Sequence, residues 1–139
     1  MRLQRLIVII PALNEEATIQ AVVREIPRTI EGIERVDVLV VDDGSTDSTK
    51  TLAIEAGALV ISHDVNFGVG RAYNTGLDEA LRLGADIIVN IDADAQFNPD
   101  DIPELIKPIQ NGDAEFVTAS RFKDKSKTPQ MSIVKLWGN

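Results

Sequence analysis

The sequence predicts an α/β fold in which a mostly parallel sheet carries helices on both of its faces. Short runs rich in valine and isoleucine alternate along the chain with segments whose apolar residues recur every three or four positions, which is the order strand, helix, strand. The apolar runs lack a clean alternation of polar and apolar residues, as is typical of strands covered on both faces. With 139 residues, of which 44% are hydrophobic, the chain can form the core of one domain.

Five strands and four helices follow from these runs. The strands are predicted at residues 6–10, 36–41, 58–63, 86–91 and 115–120. The first helix uses the apolar residues between 19 and 30, the second begins near Asp47, and the third covers 69–83. The fourth helix has the clearest start, because Asn98 can cap it, Pro99 suits its first position and two aspartates fill its first turn.

The composition excludes several classes of protein. The net charge of −8, from 22 acidic and 14 basic residues, argues against binding to nucleic acid. Cysteine is absent, which excludes disulfides, thiolate zinc sites and cysteine nucleophiles. No signal peptide is recognisable at the start, and no apolar run approaches the roughly 20 residues of a membrane span. We therefore expect a cytoplasmic chain.

Polar segments follow three of the predicted strands. They read PALNEE at 11–16, DDGSTDST at 42–49 and DADAQ at 92–96. The carboxyl ends of parallel strands lie at one edge of a sheet, and ligands bind there, at the point where the strand order reverses. We therefore expect these segments, although distant in sequence, to form one site.

Asp92 and Asp94 form the most informative pair in this set. Side chains alternate along an extended segment, so both carboxylates are expected to point to the same side, and Gln96 would point there too if the chain stays extended. Two neighbouring carboxylates repel one another unless a cation neutralises them. Mg²⁺ and Mn²⁺ prefer oxygen ligands, and Mg²⁺ commonly combines one or two carboxylates with substrate phosphates. The pair therefore predicts a divalent-metal site that bridges the acidic protein to a diphosphate, with an ordinary surface turn as the alternative.

Asp42 and Asp43 form a second carboxylate pair, directly after an apolar strand. An acceptor at this place suits a ribose hydroxyl or the N–H of a base, whereas a plain strand-turn-helix connection explains Gly44 but not two carboxylates. Arg71 is open to two interpretations, a phosphate-binding side chain or a solvent-exposed helix charge. His63, the only histidine, is interpreted as a structural or rim residue rather than a general base.

Two common phosphate-binding loops are absent from the sequence. The glycines of NFGVGRAYNTG at 66–76 do not complete G-x-G-x-x-G, because Tyr73 occupies the third glycine position. No G-x-x-x-x-G-K-[ST] segment occurs either. A nucleotidyltransferase would be expected to carry a glycine-rich, basic loop after the first strand, and PALNEEATI is acidic there, so this enzyme class is disfavoured.

Five motifs follow one another over about residues 5–122, namely VIIPALNEEATI, VLVVDDGSTDST, NFGVGRAYNTGL, IIVNIDADAQFNPDDIPEL and VTASRF. In this order and spacing they resemble the family 2 nucleotide-sugar glycosyltransferases, particularly the dolichol-phosphate mannose or glucose synthase branch. The resemblance implies an A-type glycosyltransferase fold, with a Rossmann-like nucleotide-binding half before an acceptor-binding half. It also implies sugar transfer with inversion from a GDP- or UDP-linked donor, with Mg²⁺ or Mn²⁺ as cofactor.

The resemblance further implies roles for single residues. Those expected to bind the donor are Pro11, Ala12, Asn14, Glu15, Asp42, Asp43, Arg71, Asp92, Ala93 and Arg121. Within this set, Asp42 or Asp43 would hold the base and ribose, and Arg121 would lie near the phosphates. The metal ligands that it implies are Asp92, Asp94 and Gln96, the last being typical of the polyprenyl-phosphate branch.

Two parts of the chain are distinguished on this basis. Residues 1–122 are the predicted nucleotide-sugar-binding domain, and 123–139 are a basic loop and the start of an acceptor-binding half. The rest of that half, with any catalytic base, would lie beyond Asn139, so we expect the donor-binding portion of a longer enzyme at the cytoplasmic face of a membrane. A polyprenyl (dolichyl) phosphate is the expected acceptor, and the apolar end near Trp137 suggests a homo-oligomer. The alternative is a non-catalytic module that binds a nucleotide sugar or a protein partner.

Overall fold

The computed structural model describes residues 3–115 and 137–138, with side chains from residue 5 to residue 115. Its strands are β1 (Leu3–Ala12), β2 (Ile33–Asp42), β3 (Leu59–Ser62), β4 (Ile87–Asn90) and β5 (Trp137–Gly138). They form one sheet in the order β3-β2-β1-β4-β5. The first four strands are parallel, and β5 pairs antiparallel with β4. The prediction of a mostly parallel sheet is therefore confirmed.

The first four predicted strands are all present. The predicted fifth strand at 115–120 lies outside the described residues except for Glu115, and the predicted domain boundary after residue 122 lies outside them altogether. The two-residue strand β5 comes from the predicted apolar end of the chain.

Four helices connect and cover these strands. They are α1 (Ile19–Glu25), α2 (Thr49–Glu55), α3 (Val69–Arg82) and α4 (Ile102–Gln110), the last preceded by a 3-10 turn at Pro99–Asp101. The predicted cap at Asn98 is confirmed, because its side chain accepts a hydrogen bond from the backbone N–H of Asp100 at 3.1 Å. Helix α1 ends before the predicted residue 30, since Pro27 forces Ile26 into an extended conformation with ψ of 122°.

The sheet has a core on each face, as predicted. Leu6, Val8 and Ile10 of β1 are fully buried beneath α1, α2 and α4. The alternate residues Ile7 and Ile9 are fully buried on the other face, against α3. Period-two alternation of side chains explains why one strand serves both cores and reads as a continuous apolar run.

The helices of the described segments are all too short or too polar to cross a lipid bilayer.

The strand order determines where a ligand can bind. From β1 the chain moves outward to β2 and β3 on one side, and it then returns to β4 on the other side of β1. The strand order therefore reverses between β1 and β4, and a crevice opens between their carboxyl ends. The segments that follow β1, β2 and β4 meet at this crevice.

Candidate functional site

A cleft of about 370 Å³ lies at the carboxyl ends of β1, β2 and β4, where the strand order reverses. Its lining consists of Pro11, Ala12, Leu13, Glu15, Asp43, Asn66, Gly68, Val69, Ala72, Asp92, Ala93 and Asp94. Of the predicted site residues, the structure thus brings seven to one cleft: Pro11, Ala12, Glu15, Asp43, Asp92, Ala93 and Asp94. The polar segments that follow three different strands therefore line the same cleft.

Three acidic side chains concentrate negative charge at one end of this cleft. Partial burial raises the pKa of Asp92 above its ordinary value, and the neighbouring charges of Asp94 and Glu15 raise it further. These causes all disfavour the charged form of Asp92. A bound cation would remove the repulsion, which is the situation predicted from the sequence.

The geometry of the Asp94 turn is set by the backbone. Ala95 adopts a left-handed conformation with φ of 64°, and the backbone N–H of Gln96 donates to Asp94 Oδ1 at 3.1 Å. The carbonyl oxygen of Ala93 accepts a hydrogen bond from Thr18 Oγ1 at 2.6 Å, which ties the turn to the start of α1. Gln96 does not line the cleft, and the contact that it makes with Asp94 is through its backbone.

The donor set of the cleft fits a hard divalent cation. Among residues 3–115 and 137–138, no group of three or more histidine, cysteine, aspartate or glutamate side chains is arranged to hold a metal ion. Asp92 and Asp94 offer carboxylate oxygens without a complete protein cage. Mg²⁺ and comparable ions are commonly held in this way, with the remaining positions filled by water and substrate phosphates.

Asp43 anchors the opposite wall of the cleft. Its side chain is 5% exposed, and its Oδ1 lies 2.7 Å from Nδ1 of His63. The backbone N–H of Phe67 donates to Oδ1 at 3.0 Å, and that of Gly68 donates to Oδ2 at 2.9 Å. Although burial raises the pKa of Asp43, the hydrogen bonds from His63, Phe67 and Gly68 and the charge of His63 together hold it below the ordinary value.

Asp42 has a different environment from its neighbour. It is buried and does not line the cleft. Its carboxylate accepts hydrogen bonds from the backbone N–H of Ser45 at 3.1 Å and from Ser62 Oγ at 3.2 Å. Asp42 therefore stabilises the turn after β2 and its junction with β3, and only Asp43 of the pair is available to a ligand.

The loops after β1 and β2 are locked together by polar contacts that the sequence did not reveal. Asn14, at φ of 52°, accepts a hydrogen bond from the backbone N–H of Thr46 at 2.9 Å and donates its own N–H to Ser45 Oγ at 2.9 Å. Glu16 accepts from the backbone N–H of Ser48 at 3.0 Å. Asn14 does not line the cleft. Its side chain instead holds together the two loops that form the cleft. The one indication of this role in the sequence was that asparagine tolerates a positive φ better than most residues.

The amino end of α3 contributes to the cleft. Gly68, Val69 and Ala72 all line it, and α3 is a 14-residue helix. A helix amino end carries partial positive charge and unpaired N–H groups, so it favours an anion. The cleft thus combines a carboxylate cluster at one side with a helix amino end at the other, an arrangement that suits a metal-bound diphosphate.

Besides Asn14, Asp42 and Gln96, two further predicted binding residues lie apart from the cleft or outside the described segments. The guanidinium carbon of Arg71 lies 5.3 Å from the centre of the Phe67 ring, and Arg71 does not line the cleft. Arg121 lies outside the described residues. His63 bridges Asp43 and Thr75 at 2.7 Å and 2.9 Å, contacts that agree with its interpretation as a structural residue.

Comparisons with known proteins bear on this arrangement. The family profile described as Glycosyl transferase family 2 matches residues 7–138. A UDP-N-acetylglucosamine–dolichyl-phosphate N-acetylglucosaminyltransferase from Methanococcus voltae is 38% identical over 148 residues, covering 94% of this chain and 57% of the relative. A polyprenol monophosphomannose synthase from Mycolicibacterium smegmatis is 34% identical, with coverage of 86% and 46%. The chain thus spans about half the length of these curated relatives.

Solved structures similar to this chain are also glycosyltransferases. Glucosyl-3-phosphoglycerate synthase from Mycobacterium tuberculosis, in complex with Mn²⁺, UDP-glucose and phosphoglyceric acid, is 31% identical with a TM-score of 0.67, over 88% of this chain and 45% of that one. The same enzyme with UDP gives a TM-score of 0.65 at 35% identity, over 81% and 42% of the two chains. The chain therefore belongs to glycosyl transferase family 2 and has the A-type glycosyltransferase fold.

Proposed function

We propose that this chain forms the donor-binding part of a metal-dependent, inverting glycosyltransferase. The observation that carries the proposal is the cleft at the strand-order reversal, which opposes the Asp92–Asp94 pair to Asp43 and to the amino end of α3. A nucleotide diphosphate needs a partner for its base and neutralisation for its phosphates. The cleft offers both within one cavity, and the Mn²⁺ and UDP-glucose bound by the mycobacterial synthase support this interpretation.

The carboxylates of Asp92 and Asp94 would hold Mg²⁺ or Mn²⁺ together with the diphosphate. Bound there, the ion supplies Lewis-acid stabilisation of the charge that develops on the departing nucleotide. Glu15, which lies close enough to raise the pKa of Asp92, adds negative potential that favours a cation. The amino end of α3 stabilises phosphate charge on the other side. Together these groups let a protein of net charge −8 accept an anionic donor.

A uridine donor fits Asp43 better than a guanosine donor. A carboxylate offers about four acceptor positions, and N–H groups of His63, Phe67 and Gly68 occupy three of those on Asp43. The position that remains, on Oδ2, can accept the single N–H of uracil. Guanine presents two adjacent donors, its N1–H and its amino group, and a bidentate contact would need both oxygens free. The UDP complexes of the mycobacterial synthase also support a uridine donor.

The proposed acceptor is a polyprenyl phosphate, and the proposed location is the cytoplasmic face of a membrane. The support is that two relatives carry dolichyl-phosphate or polyprenol in their names. Inversion requires the acceptor oxygen to attack from the face opposite the leaving diphosphate. A phosphate acceptor is already ionised near neutral pH and so does not require a dedicated general base in the cleft.

Calorimetric titration of nucleotides into the chain tests this function. In the presence of Mn²⁺ we expect UDP to bind more tightly than UMP, because the second phosphate completes the metal site, and more tightly than GDP. Tighter binding of GDP than of UDP would overturn the assignment of the base. Failure of every nucleotide to bind a chain that circular dichroism shows to be folded would overturn donor binding and favour a module with another partner.

A further inference from the structure

His63 lies behind the cleft wall and joins three parts of the fold. Its side chain is 11% exposed and does not line the cleft. Nδ1 lies 2.7 Å from Asp43 Oδ1 at the end of β2, and Nε2 lies 2.9 Å from Thr75 Oγ1 on α3. The Phe67 ring meets the imidazole edge-on, at 5.2 Å between centroids and 77° between planes. Residues 64–68, which we call the cleft loop, run from His63 to the start of α3.

The partners of His63 determine which nitrogen carries a proton. An ionised carboxylate only accepts hydrogen bonds, so Nδ1 must donate to Asp43. Nε2 can then accept from the Thr75 hydroxyl, and a doubly protonated ring would donate to the same oxygen, because a hydroxyl group does both. The hydrogen bond to Asp43 is therefore kept in either charge state of the ring.

The bond from His63 restrains the carboxylate of Asp43, and the carboxylate restrains the cleft loop. Oδ1 receives the Phe67 N–H as well as the His63 contact, and Oδ2 receives the Gly68 N–H. Without His63 the carboxylate would be held by the loop alone, and it could rotate together with the loop. Gly68 is also the cap of α3 and part of the cleft lining, so such a rotation would displace both the base-binding acceptor and the helix amino end.

We infer that His63 is a positioning residue for nucleotide binding. Its Nδ1–H fixes the orientation of Asp43 and, through Asp43, the conformation of the cleft loop and the start of α3. The part of this inference that concerns the ligand rests on the proposed function, whereas the part that concerns the loop does not. His63 itself makes no contact with the donor in this arrangement.

Four variants separate the hydrogen bond to Asp43 from the other contacts of the ring. His63→Asn places an amide nitrogen near the position of Nδ1, whereas His63→Gln places one near the position of Nε2. His63→Leu removes both polar contacts, and Thr75→Val removes the Thr75 bond alone. Because a hydrogen bond to a charged group is the larger kind, we expect the Leu and Gln variants to bind UDP with Mn²⁺ about tenfold more weakly. The Asn and Thr75→Val variants should stay within about twofold of the wild type.

Amide hydrogen exchange without nucleotide gives a second readout that is independent of the proposed function. Exchange at Phe67 and Gly68 should be faster by about tenfold in the Leu and Gln variants and nearly unchanged in the Asn variant, since the local opening free energy falls with the restraint on Asp43. Nitrogen-15 spectra of the neutral ring should show the Nδ1–H tautomer.

The two readouts together distinguish the outcomes. Equal exchange in the Asn, Gln and wild-type proteins would overturn the inference, as would a Gln variant that behaves like the wild type beside a damaged Asn variant. If the Leu variant does not fold, the comparison of Asn with Gln decides alone. If the variants show the expected exchange pattern but the wild type binds no nucleotide, the positioning of the loop is supported and the proposed function is overturned.

Discussion

Replacing Gly76 with alanine is expected to push α3 away from the sheet. A Cβ at this position would lie 2.5 Å from Ile9 Cγ2 and 3.0 Å from Val41 Cγ2. Non-bonded carbon atoms rest at about 3.5–4.0 Å, so the helix and the sheet must separate by roughly 1 Å. Ile9 and Val41 are fully buried, and their β-branched side chains have few rotamers to adopt. Neither can therefore turn aside to admit the new methyl group.

Two opposing terms set the size of the effect. Overpacking a dense core costs about 1–3 kcal/mol. Because the contact with Ile9 is so short, we expect the cost of Gly76→Ala to lie in the upper part of that range. Alanine in place of glycine recovers up to about 1 kcal/mol of helix propensity. We therefore expect the free energy of unfolding to fall by about 1–2 kcal/mol, and UDP binding to weaken because α3 brings Gly68 and Val69 to the cleft.

Urea denaturation followed by circular dichroism measures the change. Gly70→Ala is the matched control, because Gly70 lies in the same helix and no atom of another element is within 4 Å of the Cβ that it would gain. The control should have unchanged or slightly raised stability. A Gly76→Ala protein that is as stable as the Gly70→Ala protein would refute the packing argument.

Three further changes test the walls of the cleft. Gly44→Ala should lower the free energy of unfolding by about 1–3 kcal/mol, because φ is 78° and a Cβ would lie 2.5 Å from the backbone of Val65; urea denaturation measures this. Asn14→Ala should cost about 1–2 kcal/mol in the same assay, since φ of 52° disfavours alanine and the bond to Thr46 is lost. The folded-state pKa of Asp43 lies below the ordinary 3.8. Ionised Asp43 therefore contributes its full stabilisation at pH values above 3.8, and this stabilisation is lost as the pH falls through the lowered pKa. Stability curves of Asp43→Asn and wild type should thus converge on acidification, and a constant gap would contradict this.

Local patterns in the sequence were sufficient to predict most of the fold. Strands β1 and β4 read as continuous apolar runs because each is buried on both faces, and Asn98 and Pro99 mark the start of the last helical segment. The end of α1 was predicted too late, because the apolar spacing continues through Ile30 whereas Pro27 ends the helix locally.

The site was less predictable because its contacts join distant residues. From the sequence we could predict that Asp92, Asp94 and Asp43 lie at one edge of the sheet. It did not show whether Asp42 or Asp43 faces the ligand, because this depends on where β2 ends and which way each side chain then points. The partners of His63 are 20 and 12 residues away in sequence. The register of β2 with β3 brings Asp43 beside His63, whereas Thr75 comes from α3. Gly76 reads as an ordinary helix glycine until its distance from Ile9 is known.

The most direct test of donor binding is calorimetry of UDP with and without Mn²⁺ on an Asp92→Asn, Asp94→Asn double variant. The matched control is Asp78→Asn, Asp100→Asn, which removes the same charge from two exposed residues outside the cleft. We expect Mn²⁺ to strengthen UDP binding at least tenfold, or about 1.4 kcal/mol, in the wild type and the control, and to have no effect in the double variant. Unchanged Mn²⁺ dependence in the double variant would contradict a metal site at Asp92 and Asp94.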